Sequence, residues 1–222
     1  VRELAKRTGI AIELHCHNDL GMAVANSVSG AQGAIDAGVD AYINTSVNGL
    51  GERAGQADLL SCILALKFAR WANDYMIGDD LNLKIAAKLA NYVSYAFGVP
   101  IPINQPGVGA NAFAHEAGIH ADGALKDHRN YELYDYELLG LDLIAPGPWG
   151  RVITTGEFGG LAGFEYVYGS LGVVFNSREQ AEQILHLVRH ASAHNQLPLT
   201  DDELYLIARY PEQIRKILTL IP

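Results

Sequence analysis

Positive charge, cysteine and long apolar runs are all scarce in this sequence. Its 222 residues hold 16 lysines and arginines against 25 aspartates and glutamates, a net charge of −9. That balance excludes broad binding to nucleic acid or to an anionic membrane surface, and leaves room only for a local basic pocket that takes a phosphorylated ligand. Two cysteines, Cys16 and Cys62, make no disulfide framework and point to a reducing, cytoplasmic setting. No apolar run approaches the roughly 20 residues that span a bilayer, and no signal peptide is visible. What remains is an ordinary globular composition, 49% hydrophobic and 18% charged.

The first third alternates. Residues 1–9 read as the end of an amphipathic helix with Gly9 at its C-cap, so the chain opens in mid-helix, as a fragment would. Residues 10–14 are a short β-branched, apolar strand, and 22–37 an Ala-rich helix stopped by Gly38. Residues 41–47 make a second strand, and 57–73 a long helix. Strands separated by helical crossovers pair in parallel. Beyond this the pattern becomes helical: 81–97 is amphipathic, 98–102 is a proline-stiffened linker, and 178–195 is a surface helix. Thr200 with Glu203 three residues later is a capping box. The glycine-rich stretch 146–172 carries short apolar pieces.

Three segments carry candidate chemistry. In His15-Cys16-His17-Asn18-Asp19 the histidines stand two apart at a strand's end, so both imidazoles face one way and can meet at a metal ion. Two nitrogens do not complete a site, since hard and borderline cations also need carboxylate or water. The alternative is a pair of hydrogen-bonded histidines at a strand end. The second segment, Asn48-Gly49-Leu50-Gly51-Glu52-Arg53-Ala54-Gly55, follows the second strand directly. Its glycines let backbone approach a ligand, and Glu52-Arg53 is either part of a site or a solvated ion pair. The third is His115-Glu116-Ala117-Gly118-Ile119-His120. Its histidines are five apart with a glycine between them, which excludes the zinc-hydrolase pattern and leaves a general acid or base.

In this order, residues 15–27, 48–55 and 112–126, with Tyr131-Glu132 after them, resemble the homocitrate synthase / 2-isopropylmalate synthase family of metal-dependent acyltransferases. The resemblance implies an α/β fold. Residues 1–78 would be the last strands, seven and eight, of a (β/α)8 TIM barrel. Residues 79–145 would be a helical linker subdomain with the Gly-Ile-His segment, and 146–222 a small α+β subdomain. It implies condensation of acetyl-CoA with a 2-oxo acid, 2-oxoglutarate being favoured, followed by thioester hydrolysis. Isopropylmalate or citramalate synthesis is the neighbouring alternative, and a non-catalytic half-barrel subunit the alternative of another class. By resemblance His15 and His17 hold a divalent metal (Zn²⁺, Mn²⁺ or Mg²⁺), and Asn18, Asp19, Asn48 and Arg53 bind substrate. Glu52 orders the metal shell and joins the catalytic set. His120 serves acid–base chemistry with Glu116 or Tyr131.

Departures from the family pattern are equally specific. Gln56 stands where the family has Asn close to the metal, one methylene longer. Gly156-Glu157-Phe158-Gly159-Gly160 stands where it has Gly-Lys-His-Ser-Gly. The family's further metal-binding Asp lies on a first barrel strand, and a barrel takes about 250 residues. The expectation is therefore an incomplete site, completed by a homodimer or by a partner chain that supplies the N-terminal half of the barrel.

Overall fold

The computed structural model describes residues 1–68, 81–144, 150–195 and 199–218. The end of the helix expected over 57–73 that falls on 69–73 lies outside them. The chain divides into two compact units that interleave in sequence. The first takes Val1–Ala112 and Tyr134–Trp149, the second Phe113–Leu133 and Gly150–Pro222. The chain therefore passes from one unit to the other three times.

The first unit opens with helix α1 (Arg2–Thr8), closed by Gly9 at φ +65°. Strand β1 (Ile12–His15) follows, then helix α2 (Ala23–Ile35) and strand β2 (Ala41–Asn44). As the alternation implies, β1 and β2 are parallel, in the register Ile12 to Ala41 and His15 to Asn44. Helix α2 is built of small residues because it lies directly on this pair. A Cβ at Gly30 would come within 2.7 Å of the Leu14 side chain, and Leu14 is the buried residue of β1. Strand β2 ends at Asn44, short of the expected residue 47, because the chain turns into a short 3-10 segment at Val47–Gly49, and β1 runs over 12–15 rather than 10–14. Helix α3 (Leu59–Phe68) and helix α4 (Ala86–Phe97) complete the part that matters here.

In the second unit, strand β3 (Ala114–His115) pairs in parallel with strand β4 (Val152–Ile153), which stitches its two chain segments together. Helix α5 (Gly118–Lys126) leaves β3 through a near-contact of glycines, since a Cβ on Gly118 would meet the Gly160 backbone at 2.7 Å. Helices α6 (Leu161–Ser170), α7 (Arg178–Asn195), α8 (Asp201–Arg209) and α9 (Pro211–Leu218) close the core. Phe164, Tyr168 and Val188 are fully buried there, and Phe175 lies against both aromatic rings. The Tyr168 hydroxyl donates to the Leu204 carbonyl at 2.8 Å, so its one polar atom is satisfied, and burial pushes its phenol pKa up. The capping box at the start of α8 is formed in both directions between Thr200 and Glu203.

Candidate functional site

The first two motifs are locked together by backbone. Asn18 N–H donates to the Gly55 carbonyl at 3.0 Å, Ala57 N–H to Cys16 at 3.1 Å, and Gln56 N–H to Gly49 at 3.1 Å. His17 and Gln56 form an antiparallel bridge. The loop between them needs left-handed backbone at Asn48 (φ 60°), Gly49, Arg53 (φ 55°) and Gly55 (φ 81°). A Cβ on Gly55 would run into the Gly49 carbonyl, so this position must be glycine.

That clamp sets the tautomers of both histidines. The His17 Nδ1 lies 3.1 Å from the Gly55 carbonyl, which can only accept, so Nδ1 carries the proton. The His15 Nδ1 lies 3.1 Å from Asn44 Oδ1, and the Asn44 amide nitrogen is turned to Glu13 at 3.3 Å. The Asn44 oxygen therefore faces His15, which also protonates at Nδ1. Each Nε2 is left with a lone pair, and the two face each other at 3.2 Å. Two ring nitrogens this close are joined either by a shared proton, as an N–H···N hydrogen bond, or by a metal cation that both would ligate. The orienting partners on Nδ1 are the type that metal-binding histidines carry. Gln56 Oε1, on the strand segment bridged to His17, is buried without a hydrogen-bond partner. A cation fits this donor set. Among the described residues no cluster of three or more His, Cys, Asp or Glu that could hold a metal ion forms.

Asp19 and Arg53 meet in a two-point ion pair, Nε to Oδ1 at 3.0 Å and Nη2 to Oδ2 at 3.2 Å. The Arg53 hydrogen bonds hold the Asp19 carboxyl below its ordinary value. Glu52 is exposed beside them. Two of the residues expected at substrate have their amides engaged within the protein. Asn18 Oδ1 accepts from Ala23 N–H at the start of α2, and Asn48 donates to the Ala90 carbonyl of α4 at 2.9 Å. Asn48 also borders an apolar cavity with Leu60, Ile63 and Leu89, and neither His15 nor His17 lines it.

The remaining candidates belong to the second unit. His120 is exposed on α5, its ring 4.4 Å from that of Tyr131. Tyr131 lies in a notch where a Cβ on Gly123 would collide with its ring. Glu116 accepts from Phe158 N–H at 3.2 Å and packs against Gly156, so its carboxylate holds the loop that departs from the family pattern. The structure adds residues that sequence reasoning missed. Glu132 is bound by Arg151 through two bonds of 2.7 Å and by His115 at 3.1 Å. Burial draws the Glu132 carboxyl up, but the bonds from Arg151 and His115 outweigh it and leave it below its ordinary value. Asn44 was missed too. Its signal was available, because it stands opposite His15 once the two strands are aligned.

Residues 1–93 match the HMGL-like family model, and residues 108–196 match the model described as homocitrate synthase post-HMGL domain-like. Citrate (Re)-synthase of Dehalococcoides mccartyi (strain CBDB1) is 51% identical over 223 residues, covering 100% of this chain and 54% of that protein. Homocitrate synthase AksA of Methanopyrus kandleri is 36% identical over 209 residues, 94% of this chain and 48% of the relative. The 2-isopropylmalate synthase of Pyrococcus abyssi is 42% identical over 171 residues, 77% and 32%. The chain thus spans about half the length, or less, of these curated relatives. Residues 1–93 belong to the HMGL-like family and residues 108–196 to the homocitrate synthase post-HMGL domain family.

Proposed function

We propose that this chain is the C-terminal part of a metal-dependent acyltransferase that joins acetyl-CoA to a 2-oxo acid and then hydrolyses the thioester. The observation that carries this reading is the pair of Nε2 atoms 3.2 Å apart, each imidazole oriented from its other nitrogen. His15 and His17 hold the divalent cation, Zn²⁺, Mn²⁺ or Mg²⁺, and the unpartnered oxygen of Gln56, the residue bridged to His17, is a further donor. When bound, the cation acts as a Lewis acid toward the keto oxygen of the 2-oxo acid. Arg53, held by Asp19, presents its remaining N–H groups to a substrate carboxylate, and Glu52 orders the surrounding polar shell.

His120 and Tyr131 handle protons. In the condensation the acetyl methyl group loses a proton, its carbon bonds to the keto carbon, and the keto oxygen gains a proton. Water then cleaves the C–S bond and releases the CoA thiol. Tyr131 rather than Glu116 is the partner of His120, since its ring is the one beside the imidazole and Glu116 is occupied by Phe158. The remaining barrel strands come from further polypeptide, on the same chain or on a partner. The fold of the whole is a TIM barrel followed by residues 79–145 and a small subdomain over 146–222, and the active form is a dimer in the cytoplasm. Among the described residues no helix is long and apolar enough to cross a membrane.

The family resemblance favours 2-oxoglutarate, although none of the three motifs chooses the 2-oxo acid. The 51% identity to a protein named citrate (Re)-synthase favours its shorter homologue oxaloacetate, whose condensation with an acetyl unit gives citrate. The test supplies the N-terminal half and follows CoA release with oxaloacetate, 2-oxoglutarate, 2-oxoisovalerate and pyruvate. Release with one of them, abolished together with stoichiometric metal by His17→Ala, is expected. No release with any of the four defeats the acyltransferase reading in favour of a non-catalytic subunit.

A further inference from the structure

We infer that the buried Arg151–Glu132–His115 network positions Tyr131 against His120, which makes Glu132 and Arg151 positioning residues for the proton-handling pair. What the pair does rests on the acyltransferase reading; that the network sets its geometry does not. The Glu132 side chain is 3% exposed, His115 10% and Arg151 24%. The Arg151 fork engages both carboxylate oxygens at 2.7 Å, which fixes the rotation of the carboxylate as well as its place. Both partners of the carboxylate are rooted in the small sheet, since His115 ends β3 and Arg151 immediately precedes β4. Glu132 is thereby tied at its side chain to the sheet and at its N–H to the His128 carbonyl.

Tyr131, one residue earlier, shares the backbone tie, its N–H donating to the same His128 carbonyl at 3.0 Å, but among the described residues its side chain is held by ring contacts and not by a hydrogen bond. The residue is 41% exposed. An exposed ring without an anchor reorients on the fast timescale of surface side chains. Here the ring is confined from two sides, by the glycine notch at Gly123 and by the fixed backbone of Glu132, and it lies 4.4 Å from His120 and 6.3 Å from His115. A buried ion pair serving stability alone does not require the adjacent exposed aromatic to hold a fixed distance from an exposed histidine.

NMR of the full 222-residue chain tests this. A tyrosine ring at 4.4 Å shields the His120 ring protons, and Tyr131→Leu gives their unshielded positions. In Glu132→Gln and in the milder Arg151→Lys, the His120 resonances should move most of the way to the Tyr131→Leu positions. Far-UV circular dichroism and methyl dispersion should stay native. Native shielding in a folded Glu132→Gln protein overturns the proposal, as does loss of the fold in both variants, which assigns the network to stability only. Once the N-terminal half is supplied, Arg151→Lys should lower kcat at least tenfold with little change in KM for the 2-oxo acid. An inactive parent protein refutes the acyltransferase reading and leaves the NMR result to decide the positioning.

Discussion

Single residues in this protein do their work through neighbours that sequence distance hides. His15 and His17 were readable as a pair, because a two-residue spacing on a strand decides their common face. Their tautomers were not, since these depend on a carbonyl at Gly55 and an amide at Asn44, 38 and 29 residues away. Glu132 and Arg151 lie 19 residues apart in a region of no marked pattern, so only the fold brings them together. Glu132 has a consequence in acid. Its pKa is depressed in the folded chain, so the unfolded state binds the proton more readily. Its stabilising contribution is complete above the ordinary glutamate value of about 4.3 and is lost as pH falls through the lower folded value. A pH series of thermal midpoints should therefore fall less steeply below pH 5 for Glu132→Gln than for the parent. Glu132→Ala should cost about 1–3 kcal/mol in denaturant titrations, because it removes the carboxylate that Arg151 and His115 both bond. At Cys62, burial first and then Asp58 and Cys16 push the thiol up to about 12. It should resist alkylation at pH 8 in the native protein and react only after unfolding, as mass spectrometry of the labelled peptide will report.

At the level of elements, most of the helices and both long strands could be read from periodicity, because their faces are set by local spacing. The capping box of α8 was legible for the same reason, all its partners lying within four residues. Thr200→Ala should remove about 1 kcal/mol of stability, seen as a lowered thermal midpoint without loss of fold. The pairing of β3 with β4 was not legible. Each has two residues, too few to show alternation, and their pairing depends on segments 37 or more residues apart. Gly30 illustrates how an element is specified by what it touches. Gly30→Ala improves helix propensity on paper. Here it should destabilise the first unit by about 1–3 kcal/mol in urea unfolding, since the added methyl overpacks Leu14.

For the molecule as a whole, the sheet formed by β1 and β2 pairs with no other strand among the described residues, and Tyr42 on it is 61% exposed. Unpaired parallel edges recruit other chains. Size-exclusion chromatography of the isolated 24.0 kDa chain should show self-association, which adding the N-terminal half converts to a defined complex. A monodisperse monomer would remove the need for a partner. The interleaving of the two units was only half visible in composition: Pro146-Gly147-Pro148 stands just before the departure at Trp149, but no linker-like stretch marks the return at Leu133. Three crossings mean that one protease nick leaves the two units joined by two other tethers. The same geometry bears on inheritance: a single recombination junction placed after Ala112 brings in the whole second unit together with residues 134–149 of the first, so the first unit of such a chimaera is always of mixed parentage.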